Sequence, residues 1–123
     1  MAGLASVTMS LRVSGLGPGV HTLSKSFSGV VPTYCTHQYR VLAVADTEET
    51  LDLGGLDTIE GILIYADDLD LDVDCDFDAA FNADIHIAAG QSAYFKPAGV
   101  VKVKNGDAAE TPGYEYIVFG TLA

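Results

Sequence analysis

Residues 69–78 read LDLDVDCDFD. Leu69, Leu71, Val73, Cys75 and Phe77 occupy every second position, and Asp70, Asp72, Asp74, Asp76 and Asp78 the positions between them. A period of two belongs to an extended strand, whose side chains point alternately to its two faces. The spacing predicts a strand over 69–77, with the apolar set turned to a core and the aspartates toward water.

The same alternation recurs outward from this stretch. Val7, Met9, Leu11 and Val13 alternate with Ser6, Thr8, Ser10 and Arg12, which reads as a half-buried strand. The run GLGPG (15–19) follows, and a second alternating segment spans 20–27, so a turn joins two strands as a hairpin. Pro32 interrupts the next apolar run, strand formers fill 39–44, and Asp46 and Thr47 mark a turn. Further short strands are predicted at 49–53, 59–66, 84–88, 92–96, 100–104 and 114–119, separated by Gly, Asp, Asn or Pro. Strands at intervals of about 8–12 residues characterise a sandwich or barrel. Only DAAFN (78–82) suggests a helical turn. The expectation is an all-β, antiparallel β-sandwich, one domain over 1–123 with a short N-terminal arm over 1–5.

Composition agrees with one self-sufficient core. The chain has 123 residues, 49% hydrophobic and 19% charged, and its net charge of -11 arises from 6 Lys+Arg against 17 Asp+Glu. Disordered chains combine high charge with few apolar residues, which excludes disorder here. The negative sign disfavours nucleic acid and anionic membrane surfaces as partners. Cys35 and Cys75 form no disulfide framework, and neither a secretion signal nor a membrane span is expected. Eight of the 17 acids lie between Asp67 and Asp84, while all six bases lie outside that stretch. This predicts a domain with one acidic face.

The residues that could carry chemistry are few. Asp70, Asp72, Asp74 and Asp76 resemble the start of a calcium loop, but position six from Asp70 is Cys75 and position twelve is Phe81, where an EF-hand places Gly and a bidentate Glu. Same-face side chains on a straight strand stand about 6.6–6.8 Å apart, too far for one ion to gather them in sequence. A solvated strand face is therefore expected, one whose like charges also discourage pairing with another copy. Cys35 and His37, two apart, share a strand face without the partners that a zinc site or a cysteine nucleophile requires. His21 and His86 stand in no metal or catalytic motif and read as surface or packing groups. GLGPG lacks the GK[ST] ending of a phosphate loop and precedes a strand. Six Tyr and five Phe with no Trp favour core and contact roles over sugar stacking. These readings predict no enzyme, no metal and no cofactor, and leave a binding or structural role.

Four segments taken in order carry a resemblance: QYRVLAVADTEETLDLG (38–54), EGILIYADDLDLDVD (60–74), IHIAAGQSAYFKP (85–97) and VVKVKNGDAAETPGYEYIVFG (100–120). The pattern resembles small virion proteins of tailed bacteriophages, in particular capsid decoration (cement) proteins and related jelly-roll accessory proteins, and it covers about two-thirds of the chain. It departs from the commoner form in its acidic strand, where uncharged polar residues are more usual. The resemblance implies a non-enzymatic structural protein, usually a homotrimer about local threefold axes, that binds the lattice of the major capsid protein. It would fold in the host cytoplasm and sit on the capsid exterior. Binding only the assembled shell would stabilise that shell by mass action. The acidic strand would face water and the aromatic-rich strand ends would make subunit contacts. The alternative is a β-sandwich adhesin of a tail, baseplate or fibre that binds host glycans.

Overall fold

The computed structural model describes residues 3–15, 17, 19–30, 32–105 and 109–122, with the side chains of residues 21 and 27–30 left aside. Ten strands appear in that span, and no helix. β1 (Ala5–Val13) and β2 (His21–Val30) form a two-stranded antiparallel sheet of their own. β3 (Tyr34–Val41), β10 (Gly113–Leu122), β5 (Leu56–Ala66) and β8 (Ser92–Phe95) lie side by side in that order. The other four-stranded sheet runs β4 (Glu49–Thr50), β9 (Val100–Lys104), β6 (Leu71–Phe77), β7 (Ile85–Ile87). Every strand pair is antiparallel. The all-β, antiparallel sandwich expected from the period of two is what the chain forms.

Alternation decides what each strand buries. Ile62, Ile64 and Ala66 of β5, with Tyr114, Tyr116 and Val118 of β10, turn inward from the first sheet; Leu71 and Val73, Val101 and Val103, and Ile87 meet them from the second. Leu42 and Leu51, just beyond β3 and β4, close the core. Burying an aliphatic side chain of this size stabilises by roughly 1.5–3 kcal/mol relative to exposure. Tyr114 and Tyr116 stack with centroids 5.9 Å apart, and the Tyr116 hydroxyl donates to the Asp52 carbonyl at 2.9 Å. Its polar end is thereby satisfied inside the core. Among the described residues no buried side-chain N or O lacks a hydrogen-bond partner.

Several sequence expectations are refined. β6 begins at Leu71, two residues later than the alternation suggests, and it is an inner strand between β9 and β7. Its charges therefore do not guard an open edge. The 78–82 segment makes no helical turn; Asp78 and Ala80 form an isolated bridge, and Ala79 takes a φ of 66°. Within the stretch expected as an arm, over 1–5, β1 starts at Ala5, and Gly3 is tied through its amide to the Pro32 carbonyl at 2.9 Å. Met1 and Ala2 lie outside the described residues, as do Leu16 and Pro18 of the GLGPG turn and the side chains of His21 and Phe27. Gly15, Gly17 and Gly19 all have positive φ, which explains why three glycines crowd that turn.

The acidic strand and the exposed apolar surfaces

Asp74 is 1% exposed. The solvated row of five aspartates is thus broken at its centre, because the loop after β6 folds back over it. Asp74 Oδ1 accepts the Asp76 amide at 3.1 Å and its Oδ2 the Asn82 amide at 2.9 Å. These bonds, that from Asn82 foremost, hold its carboxyl below the usual carboxylate range. Asp84 Oδ2 accepts the Cys75 amide at 2.8 Å, and the Asp84 amide returns to the Val73 carbonyl at 2.8 Å. The aspartates here fasten backbone, the role in which Asp competes best with water.

Oxygens of Asp74, Asp76 and Asp84 lie within 4.8 Å of one another, a spacing that could hold a cation. Of the four candidates from sequence, Asp74 and Asp76 belong to this cluster and Asp70 and Asp72 do not. Asp84 was missed because only the β6–β7 hairpin register, Val73 opposite Ile85, brings it back beside Asp74. Both Asp74 oxygens already accept amides, and Asp76, which faces water, is pushed up by its hydrogen bonds with Asp84 and Asp74 and by their charges. Asp70 Oδ1 instead accepts the Ala89 amide at 2.9 Å. Asp72 Oδ1 lies 2.6 Å from His86 Nδ1, and Asp70 Oδ2 3.3 Å from its Nε2. The Asp72 hydrogen bond, then the charges of Asp72 and Asp70, raise His86 above the ordinary histidine value.

Two lysines lie directly beside the acidic strand. Register places Lys104 opposite Asp72 and Lys102 opposite Asp74 on adjoining β9. Lys102 Nζ lies 4.0 Å from the centre of the Phe77 ring, and Lys104 pairs with Asp46 at 3.5 Å. Charge instead divides along the chain. Residues 1–32 hold Arg12 and Lys25 and no acid, whereas all 17 acids follow, from Asp46 onward, among Arg40, Lys96, Lys102 and Lys104.

Cys35 and His37 do share one face of β3, as their spacing predicts. His37 Nε2 contacts Glu115 Oε2 at 2.5 Å, while Cys35, opposite Phe119, is an exposed free thiol. Half-buried Cys75 has its thiol pushed up to about 11, by desolvation first and then by the neighbouring aspartates. It reads as a packing group.

Exposed apolar side chains gather in two places. On the outer face of the first sheet, Tyr39, Val41, Leu63 and Tyr65 are exposed. Opposite the Leu63 end of that face lies the base of β1, with a cleft of about 530 Å³ between them, lined by Val7, Met9, Cys35, Leu63, Ile117 and Phe119 among others. Met9, at the cleft, is 49% exposed, and beyond it Leu11 is 63% and Leu23 59% exposed. Monomeric proteins rarely leave contiguous apolar surface of this kind open.

The class these features define is an antiparallel β-sandwich carrying an amphipathic β-hairpin. No protein-family model, curated protein or solved structure matches the chain.

Proposed function

We propose that the chain is a non-enzymatic structural protein that binds an assembled protein shell, a decoration protein of a bacteriophage head. The observation that carries this reading is the extent of exposed apolar surface, Tyr39, Val41, Leu63 and Tyr65 on the first sheet together with Met9, Leu11 and Leu23 on the hairpin, which suits a chain that is covered by other protein in an assembly. Apolar and aromatic side chains rimmed by charge form the core of protein–protein contacts. The resemblance in strand and turn order supplies the phage head as the setting. A protein that binds the shell and not its separate subunits stabilises the shell by mass action.

The test is rebinding. Phage heads stripped of accessory proteins should take up the purified chain to saturation and survive a higher temperature afterwards. The same tyrosines could stack on sugars, which is the adhesin reading. Binding to host glycans with neither uptake by heads nor thermal protection would replace the decoration role with that one.

A further inference from the structure

The β1–β2 ribbon is incomplete as a folded unit. Its register sets Met9 against Lys25, Leu11 against Leu23 and Thr8 against Ser26. Val7, Met9, Leu11, Leu23 and Lys25 therefore share one face, and Ser6, Thr8, Ser10, Ser24 and Ser26 the other. At the base, Val7 is half-buried over the first sheet of its own subunit. Further out the same apolar stripe continues through Leu11 and Leu23, which are among the most exposed large apolar side chains of the described residues. A lone two-stranded ribbon is at best marginally stable in water and needs a third layer on its apolar face.

We propose that this ribbon is an exchange arm whose outer half docks on the first sheet of a second copy of the chain, over the open surface around Tyr39, Val41 and Tyr65. Two observations select a second copy as the occupant. The arm is basic, carrying Arg12 and Lys25 with no acid, whereas the surface it would meet belongs to the segment that holds all 17 acids. Glu115 lies between Tyr39 and Tyr65 in the sheet register, and Asp67 is bonded to the Tyr39 hydroxyl. Like-charged bodies repel, so an arm of opposite sign is the part able to bridge them. The chemistry also repeats itself: the base of the arm already lies over the Leu63–Phe119 end of its own sheet, and the neighbouring end is the same kind of surface left open. The area sets the strength of the contact: the outer half of a nine-residue ribbon is about 15 Å long and about 10 Å wide, so reciprocal docking of two arms covers on the order of 600 Å² counted on all surfaces, that of a weak, concentration-dependent association.

The inference rests on the reading of the chain as an assembly protein, and its test is separate from shell binding. Sedimentation of the full chain at about 100 µM should show a dimer or a larger closed ring. The arm variant L11D/L23D should weaken self-association at least tenfold while keeping the native circular dichroism spectrum. The acceptor variant Y39R/Y65R should do the same, and an equimolar mixture of the two variants should associate better than either alone, since one intact arm then meets one intact face. A monomeric wild-type chain, or an oligomer indifferent to L11D/L23D, would overturn the exchange arm even if heads still bind the chain. A monomer whose L11D/L23D form loses only head binding would assign the arm to the shell instead.

Discussion

The Asp74 carboxylate accepts amide hydrogens on both oxygens, so Asp74→Asn leaves one backbone donor facing an amide donor in a buried place. The melting temperature should fall by roughly 5 °C or more. Asp76→Asn, at an exposed carboxylate raised by its acidic neighbours, should leave stability unchanged or higher. Differential scanning calorimetry of the two variants checks the contrast, and equal effects would remove the special role of Asp74. Because the folded Asp74 carboxyl lies below its unfolded value, its contribution is present above the unfolded value and fades as pH falls through the folded one. His86 runs the other way. Its folded value is raised, so what Asp72 and Asp70 contribute through it is complete below the ordinary histidine value and is lost as pH rises through the raised one. His86→Gln should therefore lower the melting temperature more at about pH 5.5 than at about pH 9, and a pH-independent difference would refute the pairing.

Among the described glycines, Gly120 leaves the least room for a side chain, at the point where β10 shifts register against β5. A Cβ there would strike the Thr58 carbonyl oxygen, whereas one at Gly61 would meet chiefly the Tyr94 hydroxyl and the Phe119 ring. Backbone cannot turn aside as a side chain can, so Gly120→Ala should cost about 1–3 kcal/mol or more and Gly61→Ala less. Urea unfolding ranks the pair, and the reverse order would contradict the register. Such details bear on what could be read beforehand. β9 lies where alternation put it, at 100–104, because inward Val101 and Val103 and outward Lys102 and Lys104 specify both faces of a short strand. Leu69 and Asp70 show the same alternation yet fall outside β6, since pairing with β9 and β7 begins only further along. Burial of Asp74 was not legible at all: an alternating aspartate reads as solvated, and what covers it is a loop placed by tertiary structure. The hairpin was legible as a hairpin, but a period of two tells which face is apolar and not what lies against it.

For the molecule as a whole, 17 acids in residues 33–123 share that segment with Arg40, Lys96, Lys102 and Lys104. Self-repulsion of that kind is screened by salt. Raising sodium chloride to about 0.5 M should therefore raise the melting temperature, and calcium chloride should do no more at equal ionic strength. A calcium increment beyond that would mean that the Asp74, Asp76 and Asp84 cluster takes up the ion. The place of β10 in the first sheet has a different kind of consequence. It lies between β3 and β5, so β3 has no hydrogen-bonding neighbour in that sheet until residues 113–122 have left the ribosome. Closing such a distant contact is slow compared with forming the local β1–β2 hairpin. During synthesis the hairpin can form early while the unpaired edges of β3 and β5 wait, and the nascent chain is most open to wrong strand pairing just before its last strand arrives.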